Sequence, residues 1–144
     1  LGYLWLGDPG RSALLDVTLD LGGDPDEVAV VFRADADLER AYHLRLEPRR
    51  GRFVFDRRPH PITIPFDATA DRAYVDARDF ETERPLVASD GRVRVRVILD
   101  GSAIVTYVND VALSTRGYDL ADGGWGVMAL GGAVTVSGLA VGAP

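Results

Sequence analysis

The side chains of this 144-residue chain that could do chemistry are mainly carboxylates, arginines and a few aromatics. The chain holds only two histidines and no cysteine. Thiolate metal sites, disulfides and cysteine nucleophiles are therefore excluded. Neither His43 nor His60 has an acid at a spacing typical of a zinc site, so we predict that both are packed or solvated. No serine lies in a Gly-x-Ser-x-Gly context, and no glycine loop leads from a strand into a helix. We expect no metal and no cofactor.

Acidic residues are frequent between positions 67 and 83, where a calcium ion would find several oxygen ligands. The stretch lacks the glycine-kinked Asp-x-Asp-x-Asp loop of such sites, so an ordinary solvated loop is the favoured interpretation.

A row of arginines alternates with valines at Arg92, Arg94 and Arg96. In a strand, alternate residues share a face, so the three guanidinium groups would line one side. They could contact a sugar. The alternative, which we favour, is that they pair with acids of a neighbouring strand such as Asp16 and Asp20.

The composition predicts an all-β fold. Sixteen glycines and eight prolines separate short valine-rich segments, and no window shows a helical apolar stripe. We expect residues 1–144 to form one domain of roughly ten to twelve strands in two antiparallel sheets. The net charge of −6 and the absence of lysine argue against a nucleic-acid partner. No apolar run approaches the length that spans a membrane, so no membrane partner is expected.

Period-two alternation places most of the strands. The predicted strands are 13–21, 27–33, 41–46, 52–56, 92–97, 126–130 and 134–141, with a bulge at Gly138 and short edge strands at 62–64 and 73–75.

The clearest element is a hairpin in the run Asp100-Gly-Ser-Ala-Ile-Val-Thr-Tyr-Val-Asn-Asp110. Ile104, Thr106 and Val108 point to one face and the intervening residues to the other. Asn109 and Asp110 tolerate the positive φ values of a tight primed turn, so we predict the turn there.

This hairpin, followed by Thr115-Arg-Gly-Tyr118, resembles the signature of the C-terminal β-sandwich of glycoside hydrolase family 32, the β-fructosidases. The stretch that ends in Asp56-Arg57 is also similar to that sandwich, and carbohydrate-binding module family 66 looks similar to it. One departure is Val105, where the family usually has glutamate.

The resemblance implies a jelly-roll, concanavalin A-like sandwich. It implies a non-catalytic C-terminal domain that supports the folding or assembly of a catalytic propeller, whose parent protein hydrolyses fructosyl bonds of sucrose or fructans. The alternative is an autonomous fructan-binding module with fructan or fructose as its ligand. A third option is a self-associating or lectin-like sandwich, since a fold alone does not fix a function.

No catalytic residues are expected in this chain. The run Trp5-Leu-Gly-Asp-Pro-Gly10 is similar to the family's nucleophile motif, but the asparagine before Asp8 is missing. The companion motifs have no counterpart, because Arg78-Asp79 precedes phenylalanine and cysteine is absent. Asp8 to Gly10 is predicted to be a turn. With no initiator methionine or basic leader, the chain is expected to be a fragment of a larger glycosidase, of unknown compartment.

A sugar site needs an aromatic platform and a few fixed polar groups. An exposed aromatic next to Asp56-Arg57 or Asp100 would favour binding, and a large flat apolar patch would favour docking to a propeller. The candidate residues named next could instead cap strand ends. The candidate binding residues are Asp56, Arg57, Glu83, Arg84, Asp100, Tyr118 and Trp125.

Overall fold

The structure is a computed structural model that describes residues 2–58 and 82–144, with only the backbone of residues 57 and 58. The described residues form eleven strands and one 3₁₀ turn, Pro48–Arg50. The strands are β1 (Gly2–Gly7), β2 (Ser12–Gly23), β3 (Glu27–Ala34), β4 (Ala41–Glu47), β5 (Arg52–Arg58), β6 (Thr82–Pro85), β7 (Arg92–Asp100), β8 (Ala103–Val108), β9 (Val111–Arg116), β10 (Gly124–Leu130) and β11 (Ala133–Gly142). The edge strands predicted at 62–64 and 73–75, and nearly all of the acidic stretch 67–83, lie outside the described residues.

The strands build two antiparallel sheets. The six-stranded sheet has the order β1-β10-β3-β4-β5-β6, and the five-stranded sheet has the order β11-β2-β7-β8-β9. The predicted all-β sandwich of two antiparallel sheets is confirmed.

The core lies between the sheets and follows the period of two. In β2 and β7, every second residue is buried, whereas the residues between them are partly or fully exposed. The inward faces of β3, β4 and β5 supply the aromatic part of the core. Phe32, Tyr42 and Phe55 contact one another there, with ring centroids 5.5 to 6.2 Å apart.

Because neighbouring strands are antiparallel, the loops that join the strands lie at the two ends of the sandwich. We call one the Arg33 end, because the residues 8–11, 35–40, 101–102 and 117–123 lie there. The opposite end, the Asn109 end, holds residues 24–26, 86–91, 109–110 and 131–132.

The predicted hairpin is confirmed, with one difference at its turn. Val108 pairs with Val111, so Asn109 and Asp110 form a two-residue loop, but only Asn109 has a positive φ, 52°. The Asn109 side chain supports this turn, because its Oδ1 accepts the backbone N–H of Arg94 and its Nδ2 donates to the carbonyl of Val87. The turn is therefore tied to the neighbouring loop.

Two observed strands were not predicted from the sequence, and one predicted bulge is present. β1 was not predicted because its apolar residues show no polar face, and β6 was not predicted because its four residues are polar or proline. β6 is an edge strand with Pro85 at its end, a position where proline removes no ladder bond that the sheet needs. The bulge predicted at Gly138 is confirmed by its φ of 61° and a register shift between Ser137 and Ala140.

The position of the core predicts that alanine substitutions of two leucines have different effects on stability. Leu44 is fully buried, whereas Leu139 is 45% exposed. We expect Leu44→Ala to lower the free energy of unfolding by about 2–5 kcal/mol, because it removes packed atoms and leaves a cavity. The matched control Leu139→Ala should change it by about 0.5 kcal/mol or less in urea denaturation. Equal losses in the two variants would contradict this placement of the core.

Candidate functional site

The outer face of the six-stranded sheet carries a network of opposite charges across β4, β5 and β6. Arg45 lies between two acids, with its Nε 3.5 Å from Oδ2 of Asp56 and its Nη2 3.7 Å from Oε1 of Glu47. Arg52 also bridges two acids, because its Nε donates to Glu47 at 2.7 Å and its Nη1 to Glu83 at 2.6 Å. Asp56 is fully buried. Each of these three carboxylates is thus held by an arginine.

The electrostatics of this network centre on Glu47. Burial by itself raises the pKa of Glu47, but the hydrogen bond from Arg52 and the positive charges of Arg52, Arg45 and Arg50 outweigh it. The net result is a pKa below its ordinary value of 4.5, so Glu47 is ionised at neutral pH. The bonds from Glu47 and Glu83 in turn raise the pKa of Arg52.

The arginine row on the five-stranded sheet pairs with acids, as the favoured interpretation predicted. Arg94 makes a two-pronged contact with Asp16, with nitrogen–oxygen distances of 2.5 and 3.0 Å. The Nε of Arg92 lies 3.6 Å from Oδ2 of Asp20. Arg96 instead lies over the ring of Tyr107, 4.9 Å from its centroid. The hydrogen bond from Arg94 lowers the pKa of Asp16.

Two candidate residues, Asp100 and Tyr118, both lie at the Arg33 end. Oδ1 of Asp100 accepts a hydrogen bond from the Ser12 hydroxyl at 3.2 Å. The N–H of Gly117 donates to the carbonyl of Ser102 at 2.8 Å, which fixes the chain beside Tyr118 against the hairpin. Tyr118 is 77% exposed. An exposed aromatic therefore lies beside the Asp100 turn.

The other candidate residues lie elsewhere. Trp125 is a core residue with 2% exposure, so its ring offers no surface to a ligand in this structure. Asp56 and Glu83 belong to the charge network, and Arg84 is exposed on β6, opposite Phe53. Arg57 pairs through its backbone with Tyr42, and its side chain is outside what the structure describes. The described candidate side chains do not form one pocket.

His43 is packed, as predicted, with 5% exposure, and His60 is outside the described residues. In residues 2–58 and 82–144, no group of three or more histidines or acids is placed to hold a metal ion. In the same residues, no helix has the length and apolar character needed to cross a membrane.

Sequence reasoning missed Arg33, a buried charged side chain that binds backbone carbonyls across the sandwich. Arg33 is 1% exposed and has a φ of 51°, a left-handed conformation that is rare for a long side chain. Its guanidinium donates to the carbonyls of Leu120 at 3.0 Å, of Arg11 at 3.3 Å and of Gly101. Burial lowers the pKa of Arg33. Alternation alone would point this side chain outward, so no sequence signal finds it.

One side of the sandwich is open. Between the edge strands β1 and β11 lies a cleft of about 570 Å³, lined by residues that include Leu4, Val134 and Val136. Leu4 is 45% exposed, and on β11 Leu139 and Val141 are 45% and 53% exposed. We call this surface, formed by these five residues, the apolar edge.

Comparisons with known proteins agree with this architecture. The carbohydrate binding module CBM66 from Bacillus subtilis has a TM-score of 0.67 at 11% identity, with 92% of this chain and 75% of that chain covered. Exo-inulinase from Aspergillus awamori has a TM-score of 0.64 at 16% identity, covering 94% of this chain and 27% of that one. A galectin from Caenorhabditis elegans has a TM-score of 0.64 at 12% identity, with 98% and 89% covered. No curated protein sequence matches the chain significantly.

The fold defines a β-sandwich of the class found in lectins and carbohydrate-binding modules. The sequence profile described as "Glycosyl hydrolases family 32 C terminal" matches residues 6–142. The chain belongs to this family, a non-catalytic domain of glycosidases, and it spans about a quarter of the inulinase chain.

The charge network predicts a pH-dependent contribution of Glu47 to stability. Because the pKa of Glu47 is lowered in the fold, ionised Glu47 stabilises the fold above about pH 4.5, and this contribution is lost as the pH falls through the folded-state pKa. We expect Glu47→Gln to cost about 1–3 kcal/mol at pH 7 and progressively less below about pH 4.

The measurement is urea denaturation of both proteins from pH 3 to pH 8. Glu39→Gln is the matched control, since Glu39 is exposed on the 35–40 turn and should leave stability almost unchanged. A Glu47→Gln deficit that stays the same at pH 3 and pH 7 would contradict the lowered pKa.

Proposed function

We propose that this chain is the C-terminal sandwich of a β-fructosidase and that it supports the folding or assembly of the catalytic propeller. The parent protein would hydrolyse fructosyl bonds of sucrose or fructans. The observation that carries this proposal is the apolar edge. Leu4 lines the open cleft, and two further large apolar side chains, Leu139 and Val141, lie on β11, the strand that forms its other wall; all three are about half exposed.

The apolar edge fits a neighbouring domain for two reasons. Exposed apolar side chains grouped along one edge of a domain commonly mark an interaction site. In a family defined as the C-terminal part of a glycosyl hydrolase, the catalytic part precedes the sandwich and its chain enters through β1. β1 is itself one wall of the cleft. The preceding domain would therefore meet the sandwich at this edge.

The turn at Asp8 supports a non-catalytic role. The Asp8 carboxylate accepts the N–H of Gly10 at 2.8 Å, which is the geometry of a local turn. Retaining glycosidases place two carboxyl groups about 5–5.5 Å apart across one sugar. Asp8 is instead used to shape the entry into β2.

A second candidate function is an autonomous fructan-binding module. The exposed Tyr118 beside Asp100 favours it, because an exposed aromatic next to fixed polar groups is what a sugar site requires. The similarity of the fold to CBM66 and to a galectin is consistent with carbohydrate binding.

The docking role is tested in the full-length protein that carries this domain. Val141→Asp places a carboxylate on the apolar edge, and Val87→Asp is the matched control at the Asn109 end, since the two valines are 53% and 58% exposed. We expect Val141→Asp to accelerate thermal inactivation of fructosidase activity about tenfold, because a buried unpaired charge weakens an interface. Val87→Asp should inactivate like the unchanged protein.

The isolated 144-residue chain is the second arm of this experiment. There, Val141→Asp and Val87→Asp should have the same melting temperature, because neither residue is buried within the sandwich. Equal inactivation rates of the two full-length variants would overturn the docking role of the apolar edge.

A further inference from the structure

A small cleft at the Arg33 end has the construction of a binding site. It lies between the 35–40 turn and the 117–123 loop and encloses about 220 Å³. Sites for drug-sized ligands measure about 300–1,000 Å³, so this cleft matches a single ring or a chain end. Its polar lining consists of Arg33, Arg40, Asp35 and Asp122.

The walls of the cleft are held in place before any ligand arrives. Arg33 donates to the carbonyl of Leu120, and the N–H of Leu120 donates to the hydroxyl of Tyr42 at 3.1 Å. The Tyr42 hydroxyl also donates to Oδ1 of Asp119 at 2.6 Å. Asp35 and Arg40 close the opposite turn, because the N–H of Asp35 donates to the carbonyl of Arg40 at 3.1 Å and the N–H of Arg40 donates to Oδ1 of Asp35 at 3.0 Å. A ligand would therefore not need to order these segments.

The charges that line the cleft are balanced, which favours a neutral ligand. Two arginines, Arg33 and Arg40, are balanced by two aspartates, Asp35 and Asp122. A phosphate or carboxylate would meet the two acids, and a cation would meet the two arginines. A polyhydroxyl ligand suits the mixture, because each hydroxyl both donates and accepts a hydrogen bond. Arg40 supplies donors, and the exposed carboxylates of Asp35 and Asp122 supply acceptors.

An aromatic ring lies against a residue that neighbours the cleft lining. Trp5 is 44% exposed, and its indole lies against Gly124, where an added Cβ would collide with the ring. Gly124 pairs with Ala34, which lines the cleft. Tyr3 supports the indole, with ring centroids 6.1 Å apart and planes inclined by 56°. The glycine thus gives the indole a flat position one residue from the cleft.

We propose that this cleft, with Trp5 beside it, binds one neutral sugar ring at the end of a glycan. The apolar face of the sugar would stack on the indole, and its hydroxyls would bond to Arg40, Asp35 and Asp122. The inference rests on the second candidate function, carbohydrate binding, and is independent of docking at the apolar edge.

The two tryptophans of the chain provide a direct readout. Trp5 is half exposed and Trp125 is buried, so external quenchers reach Trp5 first. Titration of the isolated chain with sucrose, levan and inulin should change the emission and protect Trp5 from acrylamide. Trp5→Phe should abolish this change. Calorimetry should show that Trp5→Ala weakens binding about tenfold, the size expected for lost stacking.

Two further variants keep the test independent of the fold. Arg40→Ala and Asp122→Asn alter exposed side chains, and each should weaken binding about tenfold through a lost hydrogen bond. Val87→Ala at the opposite end is the control and should bind as the unchanged chain does. Denaturation curves identify any variant whose loss comes from unfolding.

Each other outcome is decisive. Binding that survives Trp5→Ala, Arg40→Ala and Asp122→Asn but is lost in Tyr118→Ala would overturn this site and retain carbohydrate binding. Absence of binding to all three sugars would overturn both the site and the second candidate function. Neither result alters the inactivation experiment on the full-length protein, so failure of the docking role is measured separately.

Discussion

The buried guanidinium of Arg33 is the interaction on which one end of this sandwich depends. It belongs to the six-stranded sheet, yet it binds the carbonyl of Gly101 in the five-stranded sheet's hairpin turn and those of Arg11 and Leu120 in two loops. A buried cation is tolerated only where hydrogen bonds replace its water, and carbonyl oxygens do so here. The left-handed backbone of Arg33 is what turns the side chain toward these partners.

The outer faces of the sheets show how an acidic protein without lysine arranges its charges. On the six-stranded sheet, Arg45 and Arg52 each bridge two carboxylates. On the five-stranded sheet, Arg94 donates two hydrogen bonds to Asp16. The planar fork of arginine suits such paired contacts better than a lysine ammonium would. These paired charges therefore organise the outer faces of the two sheets.

The two surfaces for which we propose a function lie where the sandwich is incomplete. Along its open side, the apolar edge exposes side chains such as Leu4 and Val141 that the two sheets cannot cover themselves. At the Arg33 end, the loops leave a small, pinned and charge-balanced cleft beside Trp5. The first is proposed to meet a neighbouring domain and the second to bind a sugar, and the two surfaces use different strands and loops.

The sequence by itself determined most of the strands and the family. Alternation in β2, β7 and the hairpin is a local property, and the hairpin motif with Arg116 and Tyr118 marked the family that the profile over residues 6–142 shows. Only the tertiary structure decided which residues can reach a ligand. Trp125 is core and Trp5 is at the surface because burial depends on strands far apart in sequence. Period-two patterning gives the face of a residue within its sheet, but not the loops that meet at the strand ends.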